Sequence, residues 1–331
     1  IRRQRQMCIR DRASGIPLAG ITEDGFVSLS REGLSQIEKG NFSEDPVLRE
    51  EEVKEQMTRA IIAPLNLRPS VETSLHNLIA FKYVVHTHPT LVNALMCSND
   101  MAKEVEERFG NTAILVEYTD PGYILFKKLQ LRIAEYEADY GKPPPIIFLQ
   151  NHGVFVGGNT LEEIKALYEE IDLKIREGKD LSLPAAECFP LENELSIALA
   201  AYFESRSLLC RSVTGDLISH FAADENQFRK ISQPFSPDII VYCKSKYLFV
   251  KKGISQTKLW KLLDDFEARH AYPARVILQE GGGLTVVEEN EKSLNTVLEV
   301  YLDLMKISYL SQQFGGPHFM TAEQIEFIDN W

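Results

Sequence analysis

The stretch Lys82-Tyr83-Val84-Val85-His86-Thr87-His88-Pro89 decides how the rest of the chain is read. Tyr83, Val84 and Val85 are strand formers, and Pro89 ends the run because it cannot donate to a strand ladder. Side chains alternate faces along a strand, so His86 and His88 point the same way. Two imidazoles on one face at a strand end make half of a metal site. Structural histidines are common, and the pair alone does not establish a metal. A third ligand must come from elsewhere in the chain.

Downstream, residues 146–150 read as a buried strand that Asn151-His152-Gly153 interrupts and Val154-Phe155-Val156 resumes. An interruption of this kind exposes His152 at a sheet edge, and Gly153 lets backbone or ligand come close. Three imidazoles would suit Zn²⁺, with one position left open for water or substrate. Upstream, Arg68-Pro69-Ser70-Val71-Glu72-Thr73 opens a helix whose apolar face is Leu75, Leu78 and Ile79. Ser70 reads as its N-cap, and Glu72 falls in its first turn, where the helix dipole favours any carboxylate. Tyr118 ends a strand before Asp120-Pro121-Gly122, a position an aromatic also takes for packing alone. Ser14-Gly15 reads as a plain loop or as backbone donors for a phosphate.

The 331 residues suffice for two domains or one large one. With 36 basic and 48 acidic residues the formal charge is −12, so nothing general attracts a nucleic acid. Cys8, Cys97, Cys188, Cys210 and Cys243 are scattered without a CxxC spacing. They read as free thiols of a reducing compartment, and the expected location is the cytoplasm. No apolar run approaches the roughly 20 residues of a membrane span, so no membrane partner is expected.

Residues 1–12 carry five arginines in this acidic chain and show no period. A basic arm for a partner and a non-native leader both fit; the leader is the expectation. A first domain over 13–180 follows, then a Pro- and Ser-containing linker over 178–190 and a second α/β domain over 190–331. In that domain residues 239–243 and 247–250 read as a strand pair and 256–270 as a helix. Residues 276–286 follow the plan of 146–156, with Gly283 on Gly153 and Gly282 on His152. In the helices after each, Ile164, Leu167, Tyr168 and Ile171 fall on Leu294, Val297, Leu298 and Tyr301. Duplication and a shared generic hairpin plan both explain this. A duplicate would lack the histidine and be a pseudo-repeat.

Taken in order, Gly20-Ile21-Thr22-Glu23-Asp24-Gly25-Phe26-Val27, Pro69-Ser70-Val71-Glu72, His86-Thr87-His88-Pro89 and Asn151-His152-Gly153 resemble the class II aldolase/adducin family, over about residues 13–178. Pro237-Asp238-Ile239-Ile240-Val241-Tyr242-Cys243 and the ending Gln324-Ile325-Glu326-Phe327-Ile328-Asp329-Asn330-Trp331 are most similar to the aldolase part of bifunctional rhamnulose-1-phosphate aldolase/alcohol dehydrogenase proteins. In those proteins a short-chain dehydrogenase domain follows.

The resemblance implies an α/β fold: a class II aldolase-like three-layer α/β/α domain with a central mixed/antiparallel sheet, followed by a smaller α/β domain. It implies one Zn²⁺ per chain, or another divalent metal, on His86, His88 and His152. Glu72 would be the general base, and Ser14, Gly15 and Ser70 would hold the substrate phosphate. Tyr118 falls where a neighbouring subunit's tyrosine protonates the aldehyde oxygen, although the segment from His88 to Tyr118 is longer here. The family's Gly-Asn-x-Ser phosphate loop, expected before Ala13, is absent. The implied reaction is the zinc-dependent cleavage of a ketose 1-phosphate, such as rhamnulose 1-phosphate, to dihydroxyacetone phosphate and an aldehyde. The implied assembly is a homo-oligomer, a cyclic tetramer. A pentulose-phosphate 4-epimerase, a dehydratase and a non-catalytic adducin-like interaction domain are the alternatives.

Overall fold

Alternation of side chains builds the first sheet. In the computed structural model, which describes residues 7–330, Cys8–Arg12 (β1) runs antiparallel to Phe26–Ser30 (β2), with Cys8 opposite Ser30 and Arg12 opposite Phe26. Along β2, Val27 and Leu29 are fully buried while Phe26 is exposed, the period-two pattern of a half-covered strand. Ile61–Ala63 (β3) completes the order β1-β2-β3. The helix Arg31–Lys39 starts where Ser30 Oγ accepts the Gly33 N–H, and Pro46–Arg59 starts where Asp45 accepts two N–H groups.

β1 lies ahead of the domain start expected at residue 13, within the expected leader. Asp11 is 7% exposed, and its carboxylate accepts the Thr73 hydroxyl at 2.5 Å and pairs with His76 Nδ1 at 2.8 Å. Residues 8–12 are therefore part of the fold and not a tail. Composition hid this because the partners of Asp11 lie on the helix Thr73–Leu78, 65 residues away for His76. Residues 1–6 of the expected leader lie outside the described residues.

A second sheet has four strands, Tyr83–Thr87 (β4), Ala113–Val116 (β5), Ile146–Leu149 (β6) and Gly153–Gly158 (β7), in the order β4-β7-β6-β5. Every residue of β6 and β7 is buried, as in a strand covered on both faces. The architecture is mixed α/β throughout.

Contacts divide the chain into two units. One holds the described chain up to His86, Asn111–Phe148 and Phe155–Tyr168; the other holds Thr87–Gly110, Leu149–Val154 and the chain from Glu169 onward. The chain thus changes unit within β4 and in the β6–β7 hairpin.

The second unit contains a five-stranded sheet. Phe189–Pro190 (β8), Leu209–Thr214 (β9), Leu248–Val250 (β10), Val276–Gln279 (β11) and Gly283–Glu288 (β12) lie in the order β10-β11-β12-β9-β8. The β10–β11 pair is parallel, and the other pairs are antiparallel. The helix Glu291–Ser311 buries Leu294, Val297, Tyr301, Leu304 and Met305 along one stripe.

The expected strand at 239–243 is instead the helix Pro237–Cys243. Ile239, Ile240 and Cys243 are buried at helical spacing, and Pro237 supplies a pre-set first turn. The β-branched run Ile239-Ile240-Val241 favoured the strand reading, and tertiary packing overrides that propensity.

The two hairpins share their bounds. β6 and β11 start 276 − 146 = 130 residues apart, and β7 and β12 start 283 − 153 = 130 apart. The helices before them, Tyr123–Tyr140 and Gln256–His270, end 270 − 140 = 130 apart. Each stops at a left-handed residue, Gly141 at φ 66° and Ala271 at φ 61°. The strand order β9-β12-β11-β10 repeats β4-β7-β6-β5. No described helix is long and apolar enough to cross a membrane.

The Asp11–His76 pair gives a stability test. Burial raises the Asp11 pKa, but the charge and hydrogen bond of His76, with Thr73 and the Arg12 N–H, outweigh it and leave it lowered. Burial lowers the His76 pKa, and Asp11 outweighs it and leaves it raised. The depressed acid stabilises above about pH 3.8 and loses this as pH falls through its folded value; the raised histidine stabilises below about pH 6.5 and loses this as pH rises through its folded value. Asp11→Ala should therefore cost about 3–5 kcal/mol near pH 5–6, the usual cost of breaking a buried pair. Urea denaturation at several pH values should show the deficit shrinking in alkali.

Candidate metal centre

The end of β4 presents His86 and, just beyond it, His88. One ring nitrogen each from His86, His88 and His152 lie within 4.8 Å of one another, and each of the three residues is partly buried. Zinc–nitrogen bonds of about 2.0–2.1 Å in a tetrahedral site set ligand nitrogens roughly 3.4 Å apart, so slight side-chain closure completes the tripod. Three imidazole nitrogens with one open position fit a divalent transition metal.

The Asn-His-Gly turn has a separate job for each residue. Asn151 adopts φ 53°, a left-handed conformation that asparagine tolerates better than most residues. Its backbone N–H donates to the Met96 carbonyl at 3.1 Å, and its Nδ2 donates to the carbonyls of Phe235 and His318, each at 2.8 Å. Gly153 makes room: a Cβ there would lie 2.5 Å from His88 Cδ2 and 2.6 Å from the Thr87 carbonyl oxygen. The rings of His88 and His152 consequently sit 4.8 Å apart between centroids, tilted by 59°.

Glu72 stands beside His86. Its Oε1 is 3.2 Å from His86 Nε2, and the other face of His86 is supported by Phe155, stacked at 4.0 Å. The helix that follows begins at Thr73, so Glu72 is its N-cap residue instead of a first-turn residue. Ser70 is corrected in the same way. Its hydroxyl accepts the Glu72 N–H at 3.2 Å and its carbonyl accepts the Thr73 N–H at 3.1 Å, which makes a turn ahead of the helix. Pro69 and the exposed β-branched Val71 hold this segment out of the helix.

The segments carrying the residues expected on phosphate run side by side: Ala13 bridges antiparallel to Pro69, and the Ser14 N–H donates to the Arg68 carbonyl at 2.9 Å. Gly15 has φ 80°, a turn conformation favouring glycine. Arg12 Nη1 donates to the Ile16 carbonyl and braces this turn.

Tyr118 is elsewhere. It follows β5, and β7 and β6 separate β5 from β4, a span of roughly 14 Å at ordinary strand spacing. Burial raises its pKa, with the Asp120 charge adding, so the phenol is protonated at neutral pH.

Two acids were missed in the sequence. Asp238 Oδ2 lies 2.7 Å from His88 Nδ1, and Asp11 holds His76, whose ring is 6.3 Å from that of His86. Asp238 and His88 are 150 residues apart, and no local pattern links them.

A family model described as the class II aldolase and adducin N-terminal domain matches residues 9–176, half of the chain, and the chain belongs to this family. It is 26% identical over 151 residues to a Bacillus subtilis (strain 168) protein named uncharacterized oxidoreductase YuxG. That match takes in 46% of this chain but only 20% of the relative's length, so the chain spans about a fifth of it. Among solved structures, the N-terminal class II aldolase domain of a conserved protein from Thermoplasma acidophilum matches with a TM-score of 0.43 and 22% identity, over 51% of this chain and 73% of that one.

Gly153→Ala tests the packing of the turn. The added methyl must displace His88 or the Thr87 backbone, and overpacking of this kind costs about 1–3 kcal/mol. A lower Tm and weaker metal retention are expected, measured by thermal denaturation and metal analysis. Parent-like values for both would contradict the close contact.

Proposed function

We propose that this chain is a metal-dependent aldolase that cleaves a ketose 1-phosphate, such as rhamnulose 1-phosphate, to dihydroxyacetone phosphate and an aldehyde. The observation that carries this reading is a three-imidazole cluster with a carboxylate 3.2 Å from His86 Nε2. Bound by His86, His88 and His152, a divalent metal such as Zn²⁺ supplies a Lewis acid for the substrate carbonyl. Glu72 moves the proton at the carbon of dihydroxyacetone phosphate that joins the aldehyde in the condensation direction. The Ser70 hydroxyl accepts the Glu72 N–H, so its own proton can donate to a phosphate oxygen, alongside Ser14 and the Gly15 backbone. Tyr118, raised in pKa and just past the far strand of the sheet, has the chemistry of a proton donor to the aldehyde oxygen of a neighbouring copy.

His152→Ala should lose both bound metal and turnover. Glu72→Gln should keep the metal and lose turnover by about 10²–10⁴-fold, the usual share of a general base. Elemental analysis and a retro-aldol assay on rhamnulose, fuculose and ribulose phosphates read both. Full metal retention by His152→Ala overturns the ligand assignment. Epimerised or dehydrated products would assign the site to a 4-epimerase or a dehydratase, and a metal-free, inactive parent to an adducin-like interaction domain.

A further inference from the structure

We infer that Asp238 is a positioning residue for the metal ligand His88, so that a segment 238 − 176 = 62 residues beyond the matched family domain completes the metal centre. The inference rests on reading the three histidines as a metal site.

The Asp238 carboxylate lies 2.7 Å from His88 Nδ1, the length of a charge-assisted hydrogen bond. A carboxylate there keeps the proton on Nδ1 and leaves the Nε2 lone pair for a metal. The bond also fixes rotation of the ring, which otherwise turns about two side-chain torsions. Closing a tripod from nitrogens spread over 4.8 Å requires rings already aimed inward, and this contact aims one of them.

The same segment also holds the turn of the third ligand. The carbonyl of Phe235, three residues before Asp238, accepts the Asn151 amide at 2.8 Å. Residues 235–238 thus grip both His88 directly and His152 through its neighbour. A further contact fixes the helix after His88: the Thr90 hydroxyl donates to Asp303 at 2.5 Å, on the helix Glu291–Ser311.

An acid in the first turn of the helix Pro237–Cys243 is favoured by the helix dipole whatever else it does. That preference explains a carboxylate but not its alignment on an imidazole nitrogen. The two roles differ in what they move. The Asp238 side chain is 53% exposed, so the ion pair contributes little to folding. A positioning carboxylate on a metal-ligating histidine instead acts on metal affinity, by about 10–100-fold.

The test uses the full chain, stripped of metal and titrated with Zn²⁺ against a chromophoric chelator. Asp238→Ala should bind zinc about 10–100-fold more weakly than the parent, with the Tm of the metal-free protein unchanged. Asp238→Asn should fall between them, since the amide oxygen still accepts the Nδ1 proton without a charge. Nitrogen NMR of the metal-free parent should show His88 protonated on Nδ1, a preference that Asp238→Ala removes. Parent-like zinc affinity in Asp238→Ala overturns this inference and leaves the proposed function standing. A parent that binds zinc no better than His152→Ala overturns the metal reading and this inference with it.

Discussion

The left-handed turn at Asn151 is the constraint on which the centre depends. Its backbone leaves β6, reverses, and re-enters the same sheet as β7 within three residues, which forces one residue to positive φ. Asparagine accepts that conformation at low cost, and here the residue is 1% exposed. A buried amide must find acceptors or lose about 1–3 kcal/mol, and the Phe235 and His318 carbonyls provide two. The side chain that permits the turn therefore also fastens it, and His152 is carried on a fixed base. Gly153 then admits the His88 ring to a distance that any Cβ would block.

The equivalent turn in the second sheet shows what this arrangement adds. There Gly281 and Gly282 take φ 96° and 117°, so the reversal is made by glycines that need no anchoring amide. The residue in register with His152 is Gly282, and a Cβ there would lie 2.9 Å from Ser219 Oγ. No imidazole fits. A cavity of about 810 Å³ opens at this turn instead, lined in part by Asn193, Thr214, Lys252 and Gln279. One hairpin plan is thus compatible with a ligand-bearing turn and with an open one. The difference lies in a few residues at the turn, not in the strands.

What the sequence revealed follows from the range of each interaction. The strand character of Tyr83 to Val85 and the shared face of His86 and His88 depend on neighbours two residues apart, and both are visible locally. The interruption at Asn151-His152-Gly153 is local too. The helix at 237–243 was misread because Ile239-Ile240-Val241 is strand-like in composition and its burial comes from distant packing. β1 was missed because its anchor, Asp11, finds its meaning only against Thr73 and His76. Asp238 is the same case at greater range. The helix after Ser70 starts two residues later than the capping pattern predicts, since Pro69 and Val71 delay it, which leaves Ser70 in a turn and Glu72 at the N-cap.

His76, His86 and His88 each have a carboxylate as a partner at 2.7–3.2 Å: Asp11 for His76, Glu72 for His86 and Asp238 for His88. That pattern suits a dication. Two of these acids, Glu72 and Asp238, touch histidines of the three-imidazole cluster, and their charge would balance a dication bound there, which lowers the cost of bringing a doubly charged ion out of water. The overall charge of −12 favours the cation in the same sense. It works against a phosphorylated substrate, however. Recognition of the phosphate must then rest on local donors with no help from the global field. In the proposed reaction the Ser14-Gly15 turn and the Ser70 hydroxyl would offer neutral donors, and the Arg12 guanidinium, which donates to the Ile16 carbonyl beside that turn, would contribute the opposing charge. The strand β1 that brings Arg12 to this place also buries Asp11 against the helix following Glu72, so in the proposed reaction the phosphate turn and the base would draw on one short element.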